Sequence, residues 1–152
     1  DSSLVARRIG PCRHTLVASS KYLECNGVPK TPNDLLEHKI VSYQYQEDAF
    51  NWEFRNPEGK TVIVPISGTI QMNNSLGMRE AVLKGAGIMR TPTFVVGKDI
   101  QEGRLKPLLP GFQTLPLSIY ALFPQRKHLS PKVRAFIDFM DERISETPYW
   151  DI

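Results

Sequence analysis

The chain has 152 residues, 41% hydrophobic and 23% charged, with a formal net charge of +3. That length suits one ordinary domain or two small lobes, and the composition allows a packed core, which argues against a disordered polypeptide. The positive excess is small and scattered. Its densest run, Gln125-Arg126-Lys127-His128, is too short to argue for direct nucleic-acid binding.

Leu4 to Ile9 (LVARRI) reads as a strand interrupted by Gly10-Pro11, and Thr15 to Ala18 as a second apolar strand. Ser19-Ser20 can cap a short helix over Lys21 to Cys25, stopped by Asn26-Gly27. Thr31-Pro32-Asn33-Asp34 starts another helix: Thr31 caps, Pro32 suits the first helical position and Asp34 the first turn. Strands are expected over Ile40 to Tyr45, Asn51 to Arg55, Thr61 to Val64 and Gly68 to Met72, with Asn56-Pro57-Glu58-Gly59 as a hairpin turn between the middle two. Phe50, Trp52 and Phe54 alternate, which gives one aromatic strand face, read as buried under the hairpin.

The stretch Asn73 to Phe94 organises the rest. Met78, Ala81, Val82 and Gly85 form the stripe of a helix packed on a sheet, and Asn73, Asn74 and Ser75 are all able N-caps. Gly85 and Gly87 end the helix, Ile88-Met89 begins a strand, and Arg90-Thr91-Pro92-Thr93 reads as the loop after it. Bare helix-start N–H groups beside a cation attract small anions, so this edge is a candidate ligand site. A short helix over Thr93 to Gln101, closed by Gly103, a strand over Leu105 to Leu108 and a buried strand over Leu117 to Phe123 follow. Last comes a helix with Ser130 as cap, Pro131 in the first turn and an apolar stripe of Val133, Phe136, Ile137, Met140 and Ile144.

Catalytic chemistry is not legible. His14, His38 and His128 lie in unrelated contexts, none beside a plausible nucleophile. Gly85-Ala86-Gly87 follows a helix and precedes a strand, the reverse of a dinucleotide loop, and Ser67-Gly68 lacks the flanks of a nucleophile elbow. Asp138, Asp141 and Glu142 read as a solvated helix face. Cys12 and Cys25 sit in no metal motif; they could form one disulfide but read as two reduced thiols. No enzyme, metal or cofactor is expected. No apolar run approaches a membrane span and no leader precedes Asp1, so the chain reads as a cytoplasmic fragment.

Five phrases in order, DSSLVARRIGPCRHTLVASSKYL, TPNDLLEH, NNSLGMREAVLKGAGIMRTP, IQEGRLKPLLPGF and YALFPQRKHLSPKVRAFIDFM, resemble the effector-binding domain of LysR-type transcriptional regulators over nearly the whole chain. The resemblance implies an α/β fold of the periplasmic-binding-protein-like (type 2) kind, two lobes joined by two crossing strands with the ligand between them. Residues 1–13 would then end lobe I, residues 14–116 would be lobe II, with Thr15 to Ala18 as the outbound crossing, and residues 117–152 would return and close lobe I. Lobe II would be complete and lobe I truncated. The family's DNA-reading helix-turn-helix is absent, so DNA would be bound only through that missing part.

Positions that touch effectors in this family match Ser19 and Ser20, Asn73, Asn74 and Ser75, and Arg90, Thr91 and Thr93. The implied partners are a small anionic effector, of carboxylate type, and further copies in a homodimer or higher oligomer. A solute-binding receptor of a transport system is the alternative on the same fold.

Overall fold

The structure is a computed structural model that describes residues 4–45, 51–124, 130–144 and 147–151. Asp1, Phe50 and the run Gln125 to His128 lie outside the described residues. β2 (His14–Ser19) is the middle strand of an antiparallel sheet, flanked by β7 (Met89–Pro92) and β8 (Leu105–Leu108). His14 stands opposite Pro92 and Val17 opposite Met89, while Leu16 stands opposite Leu108 on the other side. Beyond β7 a parallel bridge between Ile40 and Ile88 leads to β3 (Val41–Tyr43), which pairs in parallel with β6 (Ile70–Met72).

The apolar run of β2 follows from that central place. Successive side chains point to opposite faces. Leu16 and Ala18 enter a core with Tyr22, Leu35, Trp52 and Phe54, while Val17 enters a second with Met78, Val82, Val96 and Leu105. A strand covered on both faces reads as a continuous hydrophobic run.

The helices start where their caps stand. Ser19 accepts from the Tyr22 N–H at 3.3 Å ahead of α1 (Ser20–Asn26), and Gly27, at φ 82°, ends it. Thr31 caps as expected, in a capping box with Asp34, but the turn that follows, Pro32–Glu37, is a 3₁₀ helix. α2 (Ser75–Leu83) and α3 (Thr93–Gln101) cover one face of the sheet, with Met78, Val82 and Val96 buried beneath them. Gly87 lies so close to the preceding segment that a Cβ there would stand 2.3 Å from the Lys39 carbonyl oxygen. This close approach lets the Ile88 N–H reach that carbonyl at 2.9 Å.

The hairpin of β4 (Asn51–Arg55) and β5 (Thr61–Pro65) covers the opposite face. Asn56 closes its turn by accepting from the Lys60 N–H at 2.7 Å. Trp52 and Phe54 point inward and are each 1% exposed, as the alternation requires. The two-residue β9 (Gln113–Thr114), which the sequence did not announce, extends this sheet beside β4.

β1 (Leu4–Cys12) pairs antiparallel with β10 (Leu117–Pro124), from Leu4 opposite Pro124 to Cys12 opposite Leu117. Two expectations change here. Gly10-Pro11 does not interrupt β1, because an irregularity between Arg8 and Gly10 absorbs it. Gly10 is needed for proximity instead: a Cβ would fall 2.6 Å from Ile144 Cγ2. β10 has β1 as its partner, while Thr15–Ala18 has a neighbour on each side in the central sheet. β10 is also not fully buried. Ile119, Ala121 and Phe123 pack toward α4 (Pro131–Arg143), while Tyr120 and Leu122 are exposed. On α4 only part of the stripe is covered: Ile137 and Ile144 are buried with Ile9, but Phe136 is 61% exposed.

Candidate effector site

Strand direction decides where a ligand can sit. β3, β6 and β7 run the same way, so their carboxyl ends share one edge of the sheet. β6 ends at Met72 and α2 begins at Ser75; β7 ends at Pro92 and α3 begins at Thr93. Both helices therefore start at that edge, where their N-termini favour negative charge. Ligands of open α/β sheets bind outside the carboxyl ends of the strands for this reason.

A cavity of about 250 Å³ opens there, lined by His14, Tyr43, Tyr45, Ser75, Met78, Arg90, Thr91 and Pro92. Tyr43 and Tyr45 meet edge to face, with ring centroids 6.3 Å apart. Arg90 is only 6% exposed, and its guanidinium carbon lies 5.1 Å from the centroid of the Trp52 ring. The lining thus combines a desolvated cation, hydroxyls and aromatic edges, and among the described residues it contains no carboxylate. Such a set suits a small anion with a compact apolar body. A larger hollow, about 420 Å³, lies beside Arg13 to Leu16 and the segment from Pro107 to Pro116. None of the residues singled out in the sequence for ligand contact lines it.

Ser75, Arg90 and Thr91 are brought together in the smaller cavity. The segment expected as a loop, Arg90-Thr91-Pro92, is strand β7 instead, held opposite Leu16, Thr15 and His14. Asn74 is the cap of α2, its Oδ1 accepting from the N–H groups of Leu76 at 2.8 Å and Gly77 at 3.3 Å. The helix-start amides are therefore not bare, and the anion attraction rests on the remaining dipole and on Arg90. Asn73 is exposed and outside the lining. Thr93 gives both its N–H, at 2.9 Å, and its hydroxyl, at 3.2 Å, to the Arg13 carbonyl.

Ser19 and Ser20 fall elsewhere. β2 is antiparallel to β7, so its carboxyl end lies at the opposite edge, five residues from His14 and roughly 17 Å away along an extended strand. Sequence reasoning missed His14, Tyr43, Tyr45, Met78 and Pro92 as lining. The alternation of Tyr43 and Tyr45 in SYQY was the available signal, since it places both rings on one side of an extended segment.

The frame around the site is electrostatically tied. Asp99 on α3, its side chain 1% exposed, accepts from Arg79 of α2 at Nε (2.5 Å) and Nη2 (2.7 Å), and pairs with Arg104 at 2.8 Å. The bond to Asp99 raises the Arg79 guanidinium further above its usual range. On the other face the Lys39 N–H donates to the Tyr22 hydroxyl at 2.9 Å, and that hydroxyl meets His38 Nδ1 at 3.0 Å. Burial pushes His38 below the ordinary imidazole value, against the pull of Asp34 and Glu37. Among the described residues no cluster of His, Cys, Asp and Glu could hold a metal ion, and no helix is long and apolar enough to cross a membrane.

Comparison with known proteins gives a consistent set. A family model described as "LysR substrate binding domain" matches residues 1–145. The HTH-type transcriptional regulator PtxR of Pseudomonas aeruginosa is 32% identical over 151 residues, 98% of this chain and 47% of PtxR. The full-length structure of the Vibrio cholerae virulence activator AphB superposes with a TM-score of 0.81 at 31% identity, over 93% of this chain and 48% of AphB. The regulatory domain of CrgA from Neisseria meningitidis gives a TM-score of 0.82 at 28% identity, over 95% of this chain and 71% of that domain. The chain spans about half the length of the curated relatives it matches.

Proposed function

Since the chain belongs to the LysR substrate-binding domain family, with its type 2 periplasmic-binding-protein-like fold, we propose that it is the effector-sensing part of a LysR-type transcriptional regulator and takes a small carboxylate. The observation that carries this reading is the buried Arg90 in a cavity at the carboxyl edge of the sheet, flanked by the start of α2. Residues 14–116 act as one lobe, built on the central sheet and its two cores. Residues 1–13 and 117–152 belong to the other, represented by the β1–β10 pair and α4. The connection at Arg13, whose carbonyl is held by Thr93, is the joint between them. An effector that binds one arrangement of the lobes better than the other shifts the equilibrium toward it. In the whole regulator, working as a homodimer or larger oligomer in the cytoplasm, that shift is passed to a helix-turn-helix outside this chain, which alone contacts DNA.

The test is thermal melting of the chain against acetate, succinate and benzoate, with Arg90→Gln as the control. A ligand at a hundred times its Kd stabilises by about 2.7 kcal/mol, so binding at millimolar concentration is readable as a raised Tm. At least one acid is expected to raise Tm, and Arg90→Gln to abolish the rise. No shift with any of the acids, or an equal shift in the variant, would refute the carboxylate reading. The receptor alternative has no observation in its favour.

A further inference from the structure

Trp52 contributes nothing to the lining of the cavity, yet it lies directly under the cation there. Its side chain belongs to β4, on the sheet that packs over the central strands, and it is 1% exposed. The Arg90 guanidinium carbon sits 5.1 Å from the ring centroid, well within the range in which an aromatic face attracts a cation. The indole Nε1, also buried, has no hydrogen-bond acceptor among the described residues. A residue chosen only to fill this core would do better as Phe or Leu, which bury no polar atom. The indole face is the strongest of the aromatic partners for a cation, and it is the part of Trp52 that meets Arg90.

We infer that Trp52 is the positioning residue of the effector site: it holds the Arg90 guanidinium over its ring face and so sets the direction from which a carboxylate is gripped. The inference rests on the carboxylate reading above and deepens it. A guanidinium carries its N–H groups in one plane, and a ring against it fixes how that plane is turned, which is what two-pronged carboxylate recognition needs. Packing against the ring leaves the long side chain fewer rotamers to lose on binding. The stack therefore favours a planar anion over a neutral ligand of the same shape. Trp52 sets this preference without touching the ligand.

The experiment compares Trp52→Phe and Trp52→Leu with the parent chain. The Arg90 Nε–H resonance is followed by NMR, and affinities are measured for benzoate and for neutral, isosteric benzamide. A proton near an aromatic face carries a ring-current shift, so the resonance is expected to move in Trp52→Leu and less in Trp52→Phe. Benzoate affinity is expected to fall roughly five- to thirtyfold in Trp52→Leu and by less in Trp52→Phe, with benzamide unchanged. If Trp52→Leu does not fold, Trp52→Phe carries the comparison. An Arg90 resonance that stays in place, or parallel losses for benzoate and benzamide, would overturn the inference. If the parent binds neither benzoate nor any other acid, the carboxylate reading falls, and the resonance still decides whether Trp52 positions Arg90.

Discussion

Replacing Arg79 with alanine should loosen the frame of the site far more than its place near the surface suggests. Its guanidinium makes two bonds to Asp99, at 2.5 and 2.7 Å, and the Asp99 side chain is 1% exposed against 22% for Arg79. Truncating one partner of a buried ion pair typically costs about 3–5 kcal/mol, because the other charge is left without compensation. Arg104 still reaches Asp99 at 2.8 Å, so the lower end, about 3 kcal/mol, is expected here. For a chain of this size that corresponds to a Tm lower by about 6–12 °C. Arg104→Ala should cost about 1 kcal/mol or less, since Arg104 is 45% exposed and its pair is screened by water. The double variant Arg79→Met/Asp99→Leu, which removes both charges and keeps volume, should recover most of the loss. Urea denaturation of the variants measures all of these differences. An Arg79→Ala cost no greater than that of Arg104→Ala would refute the argument that burial of Asp99 sets the magnitude. Because Arg79 and Asp99 tie α3 to α2, whose first turn lines the cavity, carboxylate affinity should weaken along with stability.

Other outcomes follow from the same structure. Asn74→Ala removes the acceptor for the Leu76 and Gly77 N–H groups and should cost about 1 kcal/mol in urea denaturation, with Asn74→Ser costing little. Gly87→Ala puts a methyl 2.3 Å from the Lys39 carbonyl and should destabilise by about 2 kcal/mol or more, with faster amide exchange at Ile88 as the local signature. Gly97→Ala meets the Trp150 carbonyl oxygen at 2.5 Å and should lift the Pro148–Asp151 segment, including the Arg13–Asp151 ion pair, from α3; Trp150 emission would shift red. His38 titrates below its unfolded value, so the unfolded chain binds more protons as pH falls. Stability should therefore decline as pH drops from near 6.5 toward the folded pKa, and His38→Gln should flatten that decline in melts from pH 7.5 to 5.

Local chemistry was legible wherever a residue's role is set by its immediate neighbours. Ser19 before α1, Thr31 and Asp34 around the 3₁₀ turn, Asn74 before α2 and the Asn56–Gly59 turn stand where the sequence put them, because a cap or tight turn is closed by groups within four residues. Family membership was legible for a related reason: the ordered phrases of caps, glycines and apolar stripes record the succession of elements. What the sequence could not give is strand direction and pairing. Ser19 and Arg90 both follow apolar strands and look equivalent, but β2 and β7 run antiparallel, so one serves a helix at the far edge while the other lines the cavity. The same holds for Trp52. Its inward face was readable from alternation, but its contact with Arg90 brings together residues 38 apart in the chain. Period and propensity act over a few residues, whereas a binding site depends on which strand ends share an edge, and that is decided only when the sheet pairs.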